Sequence, residues 1–136
     1  MSDGFLLSEL TAEIIQAYYK VYNTLGYGFL EKVYENAMLI ELKSRGFFCS
    51  RQIPVDVFYC DEKVGFYFAD LIVNDSVIIE IKAAENLCPE HEAQLTNYLK
   101  ATVIEVGLLL NFGRKPEVKR NVFSAVFKNH NQSSQS

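Results

Sequence analysis

The spacing of apolar residues predicts two helices in the first third of the chain. Apolar positions recur at three- and four-residue steps through residues 8–25, and Ser8 or Thr11 is the expected cap at the start. A break with two glycines interrupts the pattern, and a second apolar stripe then covers residues 30–45. Gly46 directly follows this stripe and is a natural helix stop.

Strand patterns dominate the remainder of the chain. Five strands are predicted, over residues 53–59, 64–73, 77–83, 105–112 and 118–127. Pro54 favours an edge position for the first strand, and the nearly continuous apolar run of the fourth is typical of a strand buried on both faces. A helix over residues 90–102 separates the third strand from the fourth, which predicts a right-handed crossover between parallel strands. The order α-α-β-β-β-α-β-β therefore predicts an α/β fold, a mixed sheet of about five strands flanked by helices.

Composition sets limits on the class of protein. A length of 136 residues suits one domain, expected over residues 8–127, with a lead-in at 1–7 and a polar, disordered tail at 128–136. The net charge of −4 argues against a protein that coats nucleic acid by bulk electrostatics. No run approaches the length of a membrane span and no signal peptide opens the chain. Three cysteines without a CxxC motif are expected to be free thiols, which favours a cytoplasmic location.

Three ionisable residues interrupt the apolar hairpin of the second and third predicted strands. These residues are Asp70, Glu80 and Lys82, and charges in buried strands are costly unless something compensates them. A three-residue turn at 74–76 would place Asp70 opposite Glu80, whereas a two-residue turn would place it opposite Ile79. Two facing carboxylates repel each other unless a cation or a proton lies between them, and Mg²⁺ suits such oxygen ligands. The alternative interpretation is a structural ion pair between Lys82 and one carboxylate.

Two helices add polar residues that their packing does not require. His91, Gln94 and Tyr98 share one face of the third predicted helix, directly after the strand that carries Lys82. Glu31 and Glu35 lie one turn apart near the start of the second helix. Each set either borders the carboxylates of the hairpin or forms a solvated polar face and a helix-start acid.

Two further groups have less definite interpretations. Late basic residues form either a patch that contacts phosphate or a solvated turn: Arg114, Lys115, Lys119, Arg120 and Lys128. Tyrosines near the first helix are a candidate binding surface: Tyr18, Tyr19, Tyr22 and Tyr27.

Several spaced motifs together resemble a known family. Gly28-Phe-Leu-Glu31-Lys-Val-Tyr34 is similar to the G-x-x-E-x-x-Y signature of the GxxExxY proteins, a group within the PD-(D/E)xK nuclease superfamily. Further matching segments follow in order: the Asp70 run, Ile-Glu80-Ile-Lys82-Ala, His91-Glu-Ala-Gln94-Leu-Thr-Asn-Tyr98-Leu and Leu110-Asn-Phe-Gly113. The resemblance covers about residues 8–127. One departure is Tyr22, which stands where many members of the family carry a histidine.

The resemblance implies a restriction-endonuclease-like core with a Mg²⁺-dependent phosphodiesterase site, at which Mn²⁺ would also serve. By position, Asp70, Glu80 and Glu31 resemble metal ligands and Lys82 resembles the catalytic lysine. Gln94 and Tyr98 resemble a Q-x-x-x-Y motif that follows the lysine. Accessory positions are Gly28, Tyr34, Glu35 and His91.

The expected function is therefore that of a nuclease acting on nucleic acid, with DNA as the expected substrate. The alternative is a catalytically silent protein with the nuclease fold, acting as a binding or oligomerising module. Self-association into a homo-oligomer is compatible with both functions.

Overall fold

The elements of the chain follow the order expected from its sequence. A computed structural model describes residues 7–126 and residue 128, and within them the order is α-α-β-β-β-α-β-β. The helices are α1 (Ser8–Leu25), α2 (Glu31–Ser44) and α3 (Pro89–Lys100). The strands are β1 (Cys49–Tyr59), β2 (Glu62–Val73), β3 (Val77–Lys82), β4 (Val106–Phe112) and β5 (Pro116–Val122).

The five described strands form one mixed sheet in sequential order, β1-β2-β3-β4-β5. Neighbouring strands are antiparallel except β3 and β4, which run parallel and are linked through α3. β1 is an edge strand, as Pro54 predicts, because proline has no N–H for a second neighbour.

Helices cover both faces of the central strands. α1 and α2 bury Tyr18, Tyr34 and Met38 against one face, whereas α3 buries Leu95 and Leu99 against the other. β4 is buried at every position, which explains its continuous apolar sequence. Because both faces are covered, charged groups reach solvent only where these strands end or part.

The start of α1 differs from the expectation. Leu7 occupies the N-cap position with a φ of 55°, and no side chain caps the helix. The Thr11 hydroxyl instead donates to the carbonyl oxygens of Leu7 and Ser8, each at 3.2 Å. The predicted cap by Ser8 or Thr11 is therefore wrong, because an N-cap side chain must accept from backbone N–H groups.

The last strand is shorter than expected at its carboxyl end. β5 ends at Val122, and Ala125 and Val126 are helical. Lys128 is buried, and its ammonium donates to the carbonyl oxygens of Thr102 and Ile104. The rest of the predicted tail, residues 129–136, lies outside the described residues, as do residue 127 and residues 1–6.

No helix in the described part of the chain combines the length and the apolar character that crossing a membrane requires.

Candidate active site

The turn between β2 and β3 has the three-residue form. Val73 pairs with Val77, and Asn74 and Asp75 both adopt a φ of 52° to reverse the chain. The ladder continues to the pair Leu71–Ile79 and then stops. This register confirms that Asp70 lies opposite Glu80.

At Asp70 the strands β2 and β3 part, and side chains replace the backbone ladder. One carboxylate oxygen of Glu80 accepts from the backbone N–H of Asp70 at 2.9 Å. One carboxylate oxygen of Asp70 accepts from the backbone N–H of Ile81 at 2.8 Å. On β1, Gln52 interrupts the pairing at the same level with a φ of 49°. We call this crossed arrangement of Asp70 and Glu80 the strand fork.

The surroundings of both carboxyl groups of the strand fork disfavour their ionised forms. Glu80 is only 5% exposed, and burial, followed by the charge of Asp70, raises its pKa to about 8. Burial also raises the pKa of Asp70, and the carboxylates of Glu35 and Glu31 add to the effect. A cation between these groups would relieve both the desolvation and the repulsion.

Lys82 lies at the carboxyl end of β3, partly buried. Among the described residues, no carboxylate lies within ion-pair distance of its ammonium group. Its charge nevertheless lowers the pKa of Asp70 and Glu80, so it lies near them. The alternative of a structural ion pair for Lys82 is therefore wrong, and its amine is available to another group.

Glu31 is the first residue of α2 and faces the end of β3. One of its carboxylate oxygens lies 3.4 Å from the backbone nitrogen of Ala83, the residue after Lys82. Its charge contributes to the raised pKa of both Asp70 and Glu80. The helix start thus brings a third carboxylate towards the strand fork.

Glu35 is buried one turn further along α2, where three donors hold it. Its carboxylate accepts from Lys32 at 3.0 Å, Arg51 at 3.0 Å and Gln52 at 2.7 Å. These bonds join α2 to the irregular point of β1 beside Asp70. Glu35 therefore supports the strand fork from outside while its charge disfavours ionisation of Asp70.

Gly28 and Tyr34 fix the loop that precedes Glu31. Gly28 has a φ of 109°, a conformation that side chains disfavour. The Tyr34 hydroxyl accepts from the Phe29 N–H at 3.1 Å and donates to the Gly26 carbonyl at 2.7 Å. Its ring stacks on Phe112 with 4.1 Å between centroids. The sequence signature from Gly28 to Tyr34 thus sets the position of Glu31.

Gln94 and Tyr98 of α3 line a cavity of about 710 Å³ on the other side of the sheet. The Tyr98 ring stacks on Tyr67 with centroids 3.7 Å apart. Burial, followed by the charges of Glu80 and Asp70, raises the pKa of Tyr98 to about 12. The Tyr98 hydroxyl therefore stays protonated and able to donate near the strand fork.

His91 is used differently from its two neighbours on α3. Its Nδ1 accepts from the Cys88 N–H at 3.2 Å and closes the first turn of the helix. His91 is not among the residues that line the cavity of Gln94 and Tyr98. A role for His91 in the site stays a prediction.

The sequence interpretation missed Tyr67 and Asn111. In the described part of the chain, the Tyr67 hydroxyl is the one buried side-chain polar atom that has no hydrogen-bond partner. Burial raises the pKa of this hydroxyl. The Asn111 amide bonds both the N–H and the carbonyl of Ala84 at 2.9 Å, which fixes the connection after Lys82. For Asn111 the signal was a polar residue in a continuously apolar strand; for Tyr67 there was none.

The structure separates both groups of uncertain role. Tyr18 is buried, whereas the Tyr22 hydroxyl lies 2.7 Å from the carbonyl oxygens of Gly113 and Arg114. Tyr19 and Tyr27 are exposed. Of the basic residues, Lys128 is buried and the Arg120 Nε lies 3.4 Å from the Thr11 hydroxyl, so the five do not form a single patch.

The strand fork suits a hard divalent cation that keeps part of its water shell. Two facing carboxylates supply oxygen ligands, and their raised pKa values show the need for positive charge. Within the described residues, no group of three or more His, Cys, Asp or Glu side chains is assembled to hold a metal ion. The fit therefore rests on Asp70 and Glu80.

Comparison with known proteins agrees with this geometry. Residues 8–121 match the profile of the PD-(D/E)XK nuclease superfamily, so the chain belongs to that superfamily. No curated protein matches the sequence.

Solved structures show the same fold. The structure titled "Crystal structure of SSO0001" is similar with a TM-score of 0.52 at 16% identity, over 76% of this chain and 56% of that one. The alkaline exonuclease LHK-Exo from Laribacter hongkongensis is similar with a TM-score of 0.52 at 11% identity, over 76% of this chain and 61% of that one. The chain thus spans less than two thirds of either protein. Their likeness confirms the restriction-endonuclease-like α/β fold.

Proposed function

We propose that this protein is a Mg²⁺-dependent nuclease of the GxxExxY type that hydrolyses phosphodiester bonds in DNA. The observation that carries the proposal is the strand fork, where the buried carboxylate of Glu80 faces the partly buried carboxylate of Asp70 beside a lysine that no described carboxylate pairs with. Membership of a nuclease superfamily supports it. Action in the cytoplasm stays a prediction.

Each residue of the site has a role in this proposal. Asp70 and Glu80 would hold Mg²⁺ or Mn²⁺, and Glu31 at the start of α2 would supply a third carboxylate. When bound, the cation would supply Lewis-acid stabilisation of the charge that develops on the phosphate. Lys82 orients the attacking water and neutralises part of that charge. Gln94 and the protonated hydroxyl of Tyr98 hold the phosphate by donating hydrogen bonds.

A cleavage assay with a matched lysine variant tests the proposal. Single- and double-stranded DNA and RNA are incubated with the protein in Mg²⁺, Mn²⁺ or EDTA. We expect metal-dependent cleavage of DNA that falls by about 100-fold or more in Lys82→Ala. Lys43→Ala removes an exposed lysine at the end of α2 and should cleave like the wild type. Absence of cleavage by the wild type, or undiminished cleavage by Lys82→Ala, would reject the catalytic assignment.

Calorimetric titration tests the metal separately from turnover. Mg²⁺ should bind the wild type and bind Asp70→Asn at least about tenfold more weakly, because the variant retains an acceptor but loses the charge. Asp75→Asn changes an exposed carboxylate in the turn at the other end of β3 and is the control. Equal binding to Asp70→Asn and wild type would remove Asp70 from the metal site.

A second candidate, a catalytically silent binding or oligomerising module, is favoured by one observation. On the amino-terminal side of Leu71, β2 leaves β3 and continues with β1 as a two-stranded arm. Exposed apolar side chains cover this arm: Phe58, Tyr59, Val64, Phe66 and Phe68. Self-association in gel filtration that is lost in Phe66→Ser, together with no cleavage, would favour this function over the nuclease.

A further inference from the structure

Three loops meet at the carboxyl ends of β3 and β4, on the side of the strand fork that carries Glu31. They enclose a cleft of about 390 Å³, which we call the end cleft. Its walls come from residues 27–30, residues 83–85 and residues 112–114. Ligands of open α/β sheets commonly bind at the carboxyl ends of parallel strands, so this cleft lies where a substrate is expected.

Hydrogen bonds, most of them partly buried, hold each wall of the end cleft in place. Tyr34 bonds the backbone on both sides of Gly28, and Asn111 bonds Ala84 through both atoms of its amide. The Tyr22 hydroxyl bonds the carbonyl groups at the β4–β5 turn. The walls are also in close contact, since a Cβ added to Gly113 would lie 2.2 Å from the Ala84 carbonyl oxygen.

On this rigid frame, large apolar side chains are held in solvent. Tyr27 is 58% exposed, Phe29 47% and Leu30 80%. Such side chains gain nothing from folding while exposed, and a fixed cluster of them marks a contact surface. Phe29 makes an edge contact with Tyr34 of α2, with 6.0 Å between the ring centroids, whereas Tyr27 and Leu30 are the more exposed of the three.

The end cleft is lined by one charge of each sign, Arg114 after β4 and Glu85 after β3. Among the described residues, no carboxylate forms an ion pair with the Arg114 guanidinium. Lys115 follows directly. Aromatic side chains together with an unneutralised cation are the elements that bind single-stranded nucleic acid, because bases stack on the rings and the backbone meets the charge. A protein of net charge −4 needs such a local cation to attract a polyanion.

The end cleft lies next to residues that flank the strand fork. Ala83 forms part of its wall, directly follows Lys82 and lies against the Glu31 carboxylate. Its volume is near the lower end of small-ligand sites, which suits one nucleotide. We propose that the end cleft binds an unpaired nucleotide of the substrate strand next to the scissile phosphate, with its base stacked on Tyr27 and a phosphate at Arg114. This inference rests on the proposed nuclease function and specifies its substrate as a strand with an unpaired segment.

Binding of a fluorescent oligonucleotide tests the inference without turnover. The probe is a single-stranded DNA 12-mer containing 2-aminopurine, whose fluorescence falls when the base stacks on an aromatic ring. It is titrated with Lys82→Ala protein in Mg²⁺, so that cleavage does not interfere. Tyr27→Ala and the double variant Tyr27→Ala/Phe29→Ala should raise the Kd about tenfold and remove the quenching. Arg114→Gln should raise the Kd and reduce its salt dependence while the quenching at saturation remains.

The control is Phe48→Ala, which removes an aromatic ring that is 61% exposed at the other end of the sheet, beside Asn74. It should leave the Kd and the quenching unchanged. Thermal melting of each variant checks that it folds. If the double variant melts early, the test is decided by Tyr27→Ala, which removes an exposed ring.

The outcomes separate this inference from the nuclease proposal. Cleavage by the wild type with unchanged Kd and quenching in Tyr27→Ala and the double variant overturns the end cleft and leaves the nuclease standing. Quenching that those variants abolish, without any cleavage by the wild type, supports the end cleft and rejects turnover. Equal affinity for a duplex of the same sequence, or no binding of the 12-mer at all, overturns the inference.

Discussion

At the scale of single residues, the site requires an ionised carboxylate in surroundings that disfavour its charge. Glu80 is buried, faces another carboxylate, and has a pKa of about 8 in the folded chain against an ordinary value of 4.5. The folded state therefore binds more protons than the unfolded state between these pH values. Stability consequently falls as the pH rises from about 4.5 to above 8 in the absence of metal.

Replacing Glu80 by Gln should therefore stabilise the metal-free protein at alkaline pH. The amide oxygen of Gln still accepts from the Asp70 N–H, while the repulsion and the desolvation of a charge disappear. We expect a gain on the order of 2 kcal/mol at pH 9, or about 5–10 °C in Tm, and little change at pH 5. Thermal melting in EDTA measures it.

The control for this prediction is Glu62→Gln at the exposed start of β2, which should leave Tm nearly unchanged at both pH values. A lower Tm for Glu80→Gln than for wild type at pH 9 would contradict the assignment of Glu80 as a strained carboxylate.

Gly113 gives a second prediction at this scale. A methyl group at this position would meet the Ala84 carbonyl oxygen at 2.2 Å and the Asn111 amide at 3.0 Å. Gly113→Ala should therefore cost roughly 2 kcal/mol and lower Tm by about 5–10 °C, because both neighbours are held in place. Gly65→Ala, where the added Cβ meets nothing within 4 Å, is the matched variant. Equal Tm values for the two variants would show that the backbone at Ala84 moves easily to accommodate the added methyl group.

Facing carboxylates were one of the two registers that the sequence allowed, whereas their supporting contacts were not predictable from it. Strand alternation and the length of the Asn74 turn together place Asp70 opposite Glu80. The stacking of Tyr67 on Tyr98 joins β2 to α3 across a separation in sequence that no local pattern encodes. Asn111 likewise bonds a backbone 27 residues away, a contact that depends on the parallel pairing of β3 with β4.

At the scale of elements, the start of α2 couples a loop to a catalytic candidate. The ring of Tyr34 lies in the core against Phe112, while its hydroxyl bonds the loop that delivers Glu31. The sequence predicts the helix and the glycine break, since both follow from periodicity and composition. The link between them depends on the hydroxyl of Tyr34. The apolar periodicity identifies Tyr34 only as an aromatic residue of the core.

Tyr34→Phe should separate this link from core packing. The ring remains, but the Phe29 N–H and the Gly26 carbonyl lose their partner, at a cost of about 1–2 kcal/mol. We expect a fall in Tm of a few degrees together with a larger fractional loss of cleavage rate, because Glu31 loses its fixed position. Tyr59→Phe changes an exposed tyrosine of β1 and should alter neither measurement. A variant with normal cleavage and lowered Tm would limit Tyr34 to a structural role.

Element ends show where sequence patterns are insufficient. The start of α1 has an apolar N-cap in a left-handed conformation, which no capping preference predicts. The alternation beyond Val122 resembles a strand, yet Lys128 turns inward to the carbonyl groups after α3. Tertiary contacts outweigh local preference at the second of these places.

At the scale of the whole molecule, metal binding and stability should be linked. A cation that binds the folded strand fork and not the unfolded chain adds RT ln(1 + [L]/Kd) to the free energy of unfolding. Saturation about tenfold above Kd corresponds to roughly 1.4 kcal/mol, or about 3–6 °C in Tm. Protonation of Glu80 competes with the cation, so the gain should be larger at pH 8 than at pH 5.5.

Melting curves with and without MgCl₂ at both pH values measure this linkage. Asp70→Asn should lose the Mg²⁺-dependent gain and Asp75→Asn should keep it, since only Asp70 belongs to the strand fork. An equal gain in both variants would place the responsible Mg²⁺ elsewhere on the protein.

The crossed carboxylates also constrain how the proposed cleavage activity can be lost over evolutionary time. Asp70 and Glu80 each serve as a hydrogen-bond rung between two strands, so an apolar replacement leaves a backbone N–H without its acceptor. Asparagine and glutamine preserve the rung and abolish the charge. An inactive descendant is therefore expected to acquire Asp70→Asn or Glu80→Gln first, and amide side chains at these two places would mark a protein that has given up cleavage and still folds.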